Sequence, residues 1–318
     1  MQVSEVIGFQ KGLSRYEPDT SLPLPTELVG VEVELEGCQN MPSPSDEYWN
    51  VTRDGSLRNN GKEYVFREPL YGLAIQSALR SLQDCINVGE PTVSSRCSVH
   101  VHINISDLTT AQLHKFLLLY IIFERTLVRF HKSSREDNIF CVPFYKAPKD
   151  IAMIDALVEA DMEGISNMFA NFDKYYAVNL RAIQTFGSLE FRHMGGSTEM
   201  PDVFLWIKII MCLKKASLNE DYNPYNLITN ISGRGPRSIF YSIFGEFAAV
   251  LEHPELEMDI MKGVRLAQLS VIDKDLYKLT DHFNRVRIKA DVLESIQSVL
   301  QEEDEFTFTM FGPEEGDI

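Results

Sequence analysis

The chain holds 318 residues, 44% hydrophobic and 24% charged. This is ordinary globular composition, which excludes disorder, collagen or a repeat array as its main character. Lys and Arg number 30 against 46 Asp and Glu, a net charge of −16, which argues against nonspecific nucleic-acid binding because that needs a basic surface.

Residues 1–27 are polar and dotted with proline and read as a loose lead-in, too polar at the N-terminus for a signal peptide. Strands are expected at Leu28–Glu36, Tyr48–Thr52, Lys62–Arg67, Ser98–Ile105, Tyr176–Ile183 and Ser188–Met194, several with strict alternation. Amphipathic helices are expected between them. Leu73–Ile86 turns Leu73, Ile75, Leu79, Leu82 and Ile86 inward, Ala111–His131 follows a Thr109 or Thr110 cap, and Ile151–Phe169 has an acidic wet face. Beyond Met200 the pattern is helical over Asp202–Leu218, Ser238–Leu251, Leu256–Leu269 and Val286–Gln301, with a basic glycine loop at Ser232–Ser238. Residues 302–318 form an acidic tail holding seven of the carboxylates.

The expected class is α+β, an antiparallel sheet backed by helices. One domain would run over 28–301, sheet-rich in 28–200 and helical in 201–301. Five scattered cysteines without a C-x-x-C fit reduced thiols and a cytoplasmic location. The longest apolar run, Phe116–Phe123, is far below a membrane span.

Three strands carry chemistry. In Val29-Gly-Val-Glu-Val-Glu-Leu-Glu36 alternation places Glu32, Glu34 and Glu36 on one face, roughly 7 Å apart in succession. In Ser98-Val-His-Val-His-Ile-Asn-Ile105, His100, His102 and Asn104 share a face, an arrangement that suits a metal or a phosphate cluster. In Gly187-Ser-Leu-Glu-Phe-Arg-His-Met194, Glu190 and Arg192 share a face opposite Leu189, Phe191 and His193. Taken singly, these also suit a solvated acidic strand, a pair of surface histidines and a routine ion pair. A fourth piece is Asp54-Gly-Ser56 followed by Gly61-Lys-Glu-Tyr64, with Tyr64 and Phe66 facing the core. Gly55 to Lys62 is one residue too long for a phosphate-binding P-loop, with Glu63 in place of Ser/Thr, and no G-x-G-x-x-G, G-x-S-x-G or H-E-x-x-H occurs. Several carboxylates on one surface raise each other's pKa unless cations are present. Hard divalent cations are the natural remedy, and an adjacent arginine suits a phosphoryl group.

Together these pieces resemble the amidoligase family, carboxylate–amine ligases of the glutamine synthetase and glutamate–cysteine ligase superfamily. The resemblance rests on Val29–Glu34, Trp49 with Asp54-Gly-Ser56, Gly61-Lys-Glu63 to Pro69-Leu-Tyr-Gly72, Cys97–Ile103, Ser188–His193 with Gly196-Ser-Thr198, and Trp206. It covers about residues 28–218. No piece is specific alone, and their joint order carries the match.

The resemblance implies a curved antiparallel sheet forming an active-site funnel, ATP as co-substrate, and two or three Mg2+ ions, with Mn2+ as a substitute. Glu32, Glu34, Glu63, His100 and Glu190 would match metal ligands. His102, with Asn104 on the same strand face, would touch the phosphates. Arg192 would steady the transferring phosphoryl group, with Arg181 as a second arginine, and Asp54 would hold the incoming amine as a cation. Ser98 departs from the family, which often has glycine there. The implied partners are small-molecule or peptide carboxylates and amines, a modified nucleobase among the open possibilities, in a bacterial, phage-infected or fungal cytoplasm. The identities of acid and amine and the oligomeric state are left open.

Two other readings compete. One is a cupin-like metal-dependent oxygenase or hydrolase using the H-x-H pair, for which the next acids are Asp107 and Glu124. The other is an inactive binding module on the same scaffold.

Overall fold

A computed structural model describes residues 1–7, 27–130, 138–147, 151–218 and 235–268, together with Ile228 and Ile231. Most of the lead-in, residues 232–234 of the basic loop, the expected helix Val286–Gln301 and the acidic tail lie outside the described residues.

Six strands make one open antiparallel sheet: β1 (Val29–Leu35), β2 (Trp49–Thr52), β3 (Lys62–Phe66), β4 (Ser98–Asn104), β5 (Val178–Asn179) and β6 (Ser188–Gly195), in the order β2-β3-β1-β4-β6-β5. The period-2 alternation gives the sheet two unlike faces. Val29, Val31, Val33 and Leu35 of β1 and Val99, Val101 and Ile103 of β4 are fully buried on one face. Tyr64 and Phe66 of β3 are buried as expected.

The helices are α1 (Val3–Val6), α2 (Leu73–Gly89), α3 (Thr110–Phe130), α4 (Ala156–Glu159), α5 (Met162–Asn171), α6 (Ala182–Phe186), α7 (Met200–Ser217), α8 (Pro236–Phe244), α9 (Ala248–Leu251) and α10 (Leu256–Ala267). α2, α3 and α7 cover the apolar face of the sheet. Trp49 Nε1 donates to Ala78 O of α2 at 2.9 Å. Phe116 and Tyr120 of α3 meet Phe191 of β6 at 6.0 and 5.7 Å between rings, and Trp206 of α7 lies edge-on to His193 at 4.6 Å. α3 starts at a reciprocal cap, with Thr109 N donating to Gln112 Oε1 at 2.9 Å and Gln112 N to Thr109 Oγ1 at 3.1 Å. Its far side is closed by α10, where Gly263 approaches so near that a Cβ would stand 2.2 Å from Ile122 O.

Several expectations are corrected. Leu73 is 77% exposed, because it opens α2 before the buried stripe of Ile75, Leu79, Leu82 and Ile86 begins. The expected strand Tyr176–Ile183 contracts to the two residues of β5, and the chain then turns into α6. The expected single helix Ile151–Phe169 is broken: a 3-10 turn over Ala152–Asp155 leads into α4, and α5 restarts at Asp161. Asp161 Oδ1 accepts from Gly164 N at 2.9 Å, an N-cap that the continuous apolar periodicity conceals. The helix expected over Ser238–Leu251 is interrupted at Gly245, whose φ of +52° lies in the region that glycine favours. Residues 1–7, expected in a loose lead-in, pack onto the body through fully buried Val3, whose amide donates to Leu108 O at 2.9 Å.

Candidate functional site

The second face of the sheet is polar yet largely enclosed. Glu34, Ser98, His100, Ser188 and Glu190 are all buried, and Glu32, Glu63 and Arg192 are half-buried. Strand register decides which residues meet. β1 and β4 pair Glu32 with His100 and Gly30 with His102; β1 and β3 pair Glu34 with Glu63; β4 and β6 pair His102 with Glu190; β5 and β6 pair Asn179 with Glu190. Opposite His100 a β-bulge adds a residue to β6, since Val99 faces Met194 while Val101 faces Phe191. The bulge leaves Arg192 on the polar face and puts both His193 and Met194 into the core.

His100 stands between two carboxylates, its Nδ1 2.9 Å from Glu32 Oε2 and 3.5 Å from Glu190 Oε1. Its Nε2 lies 2.9 Å from Ser98 Oγ. Ser98 gives both its amide and its hydroxyl to Glu34 Oε2, at 2.7 and 2.6 Å. His102 Nδ1 lies 3.1 Å from Ser188 Oγ. Its Nε2 is 3.3 Å from Glu32 Oε1 but off hydrogen-bonding alignment, so this buried nitrogen has no hydrogen-bond partner. Glu190 is held by Asn179 Nδ2 at 2.6 Å and by Arg192 Nη1. Arg192 Nε reaches Phe140 O at 3.4 Å.

The electrostatics follow from these contacts. Burial alone would raise the Glu32 carboxyl, but the hydrogen bond from His100 and the close contact and charge of both histidines outweigh it and hold Glu32 well below the usual carboxylate range. Burial alone would lower His102, but contact with Glu32 and the charges of Glu190 and Glu32 raise it above the ordinary histidine value. Glu63 is raised by burial and then by the charges of Glu32, Glu34 and Asp54.

Two groups of donors emerge, each with its atoms within 4.8 Å of one another: Glu32, His102 and Glu190, and Glu34, Asp54 and Glu63. Two carboxylates with an imidazole, and three carboxylates, suit hard to borderline divalent cations. The orphaned His102 Nε2 and the mutually repelling carboxylates around Glu63 are what such cations would satisfy. A third group, His253, Glu255 and Asp259, has a structural partner in Arg129, which bonds Asp259 and Glu255 at 2.6 Å each and ties α3 to α10.

Of the residues singled out in the sequence, the structure brings together Glu32, Glu34, Asp54, Glu63, His100, His102, Glu190 and Arg192. Asp54 joins Glu34 and Glu63, and also caps Ser56 N at 2.7 Å. Asn104 turns its amide to Asp107 and Ser106 in the turn after β4. Arg181 is exposed and joins the network through its backbone amide, 2.9 Å from Asn179 Oδ1. Glu36, on the same strand face, accepts Arg58 N at 2.8 Å. Arg237 of the basic loop lies in the first turn of α8 and pairs with Glu252 and Glu257.

Sequence reasoning missed Asn179, Thr52 and Phe186. Asn179 fixes Glu190, Thr52 Oγ1 donates to Glu63 Oε2 at 3.2 Å, and the exposed Phe186 ring lies edge-on to His102 at 5.5 Å. Only Thr52 had a signal, its place at the end of an expected strand before Asp54. The cupin-like reading meets an open sheet in place of a barrel. Its nearest acids are engaged elsewhere: Asp107 with buried Lys214 at 2.9 Å, and Glu124 in the core behind the sheet, where Tyr120 and the amides of Phe144 and Tyr145 bond it.

Residues 69–213 match a family model described as putative amidoligase enzyme. That span includes β4 and β6, while the acids of β1 and β3 precede it and join the site through strand pairing. No curated protein matches the chain.

Proposed function

We propose, since residues 69–213 match the family model of a putative amidoligase enzyme, that the protein is an ATP- and Mg2+-dependent carboxylate–amine ligase working through an acyl phosphate. The observation that carries this reading is the placement of two divalent-cation donor groups side by side on one sheet face, with Arg192 bonded to Glu190 at the end of one of them.

The face is electrically graded. Glu34, Asp54 and Glu63 gather toward β3, and Arg192 stands toward β5. Such a gradient orients substrates of opposite charge. An anionic phosphate belongs at the arginine end, where a guanidinium matches phosphoryl oxygens. A cationic amine belongs at the acidic end.

When bound, divalent cations would neutralise the charge of the phosphates and of the attacking carboxylate. Glu32, His102 and Glu190 would hold one, with His100 beside them, and Glu34 and Glu63 a second, leaving Asp54 of that group for the amine. Arg192 would stabilise the charge on the transferring phosphoryl group. In the first step a carboxylate oxygen of the acid bonds to the γ-phosphorus and ADP leaves. In the second the ammonium first gives a proton to a carboxylate such as Asp54, the freed amine nitrogen bonds to the acyl carbon, the bond from that carbon to the phosphate oxygen breaks, and inorganic phosphate leaves with the nitrogen's other surplus proton. The partly enclosed polar face would limit hydrolysis of the acyl phosphate. A glutamine-synthetase-like funnel and a cytoplasmic setting belong to the same reading. Among the described residues no helix is long and apolar enough to cross a membrane.

The test is release of ADP and phosphate from Mg2+–ATP in the presence of pooled amino acids or peptides with pooled amines. Release that needs both an acid and an amine supports the ligase. ATP hydrolysis indifferent to both, or no turnover with any pair, contradicts it.

A further inference from the structure

Ser98 lies between the two donor groups, touching Glu34 of one and His100, which stands against Glu32 and Glu190 of the other. It is buried at the first position of β4, and three of its contacts are polar. Its amide and its hydroxyl both reach Glu34 Oε2, at 2.7 and 2.6 Å, and its Oγ stands 2.9 Å from His100 Nε2.

Counting protons assigns each contact. Glu34 Oε2 already accepts the Ser98 amide, so it is the acceptor for the hydroxyl too. A serine hydroxyl has one proton, and here Glu34 takes it. Ser98 Oγ can therefore meet His100 only as an acceptor, which puts a proton on His100 Nε2. The opposite nitrogen, Nδ1, faces Glu32 Oε2 at 2.9 Å and Glu190 Oε1 at 3.5 Å; without a cation that contact needs a proton of its own on Nδ1, and a bound cation would take that proton's place and leave the ring protonated at Nε2 alone.

We infer that Ser98 is a positioning residue that couples the two cation positions, fixing His100 as the Nε2–H tautomer so that Nδ1 is presented between Glu32 and Glu190, while holding one oxygen of Glu34 so that only the other is free for a ligand. This rests on the cation-site reading above and adds the residue that sets its geometry. The hydrogen bond on the far nitrogen of a ligating histidine orients the ring and fixes its tautomer, and losing such a partner typically weakens metal binding about tenfold to a hundredfold. Ser98 has such a bond on one side and a carboxylate of the neighbouring group on the other. One substitution should therefore disturb both positions.

Mn2+ binding to the full chain, counted by electron paramagnetic resonance, provides the test for wild type, Ser98→Ala and Ser98→Thr. Wild type should take up two ions. Ser98→Ala should bind both about tenfold or more weakly, and Ser98→Thr, which keeps the hydroxyl, should recover most of the affinity. In the Mg2+-loaded wild type, nitrogen NMR of the histidine rings should show His100 protonated at Nε2, and Ser98→Ala should show mixed tautomers. Thermal unfolding checks that the variants fold, and the wild-type tautomer decides the question if Ser98→Ala does not. If wild type takes up no Mn2+, the cation-site reading itself fails. If wild type takes up two ions while Ser98→Ala binds both equally well, loses only one, or if loaded His100 carries its proton on Nδ1, the site stands and the role of Ser98 is refuted.

Discussion

Glu32 and His100 face each other across the β1–β4 pair with 2.9 Å between Oε2 and Nδ1. The contact binds the acidic strand to the histidine strand at the centre of the polar face. It helps hold Glu32 ionised in a half-buried position, where burial alone would favour the neutral acid. A buried carboxylate kept charged beside further carboxylates is a poor choice for stability alone and a good one for cation capture.

Glu190 should be the most sensitive position for turnover. Its carboxylate is bonded by Asn179 and Arg192 and shares a donor group with Glu32 and His102. Glu190→Gln keeps the shape and removes the charge. We expect Mg2+–ATP turnover to fall by about 10²–10³-fold or more, as for loss of one preorganised electrostatic group, with the melting temperature close to wild type. Normal turnover would remove Glu190 from the site.

Gly30 is placed where a side chain would press on the site. It pairs with His102, and a Cβ there would stand 3.2 Å from His102 Cβ. Gly30→Ala should shift the His102 ring and weaken divalent binding several-fold, while costing stability about 1–3 kcal/mol as for modest overpacking. Calorimetric Mn2+ titration and denaturant unfolding separate the two effects. A variant with unchanged Mn2+ affinity would show that His102 has slack.

Glu124 offers a pH test away from the site. Burial in the core raises its carboxyl from an ordinary 4.5 to about 7, despite hydrogen bonds from the amides of Phe144 and Tyr145 and from the Tyr120 hydroxyl that favour the charged form. The group keeps its proton longer in the folded than in the unfolded chain. Its contribution is therefore full below about pH 4.5, lost as pH rises toward 7, and flat above, for a total on the order of 3 kcal/mol. Denaturant unfolding from pH 4.5 to 8 should show this decline in wild type and a shallower one in Glu124→Gln. Parallel profiles would show that Glu124 titrates normally.

Much of the site was legible from period-2 alternation. β1, β4 and β6 each present their chemical residues on one face, and an apolar face opposite leaves little freedom in orientation. Register was not legible. Whether Glu32 meets His100 or His102, and whether Asp54 stands alone or joins Glu34 and Glu63, depends on pairings between strands far apart in the chain. The β6 bulge that sends His193 and Met194 together into the core has no local mark in Glu190-Phe-Arg-His-Met194. β5 was misjudged in length because a two-residue strand has too few positions to alternate, and Asn179 was missed with it. The break before α5 was in principle readable, since Asp161 three residues before Gly164 is an N-cap pattern, but the apolar spacing on both sides overrode it.

The most direct test of the central claim is calorimetric titration of ATP into the protein with and without Mg2+, for wild type and His100→Ala. The account predicts binding to wild type only when Mg2+ is present, and a loss of about tenfold or more in His100→Ala. ATP binding that ignores Mg2+, or that survives unchanged in His100→Ala, would contradict a nucleotide site built on this face of the sheet.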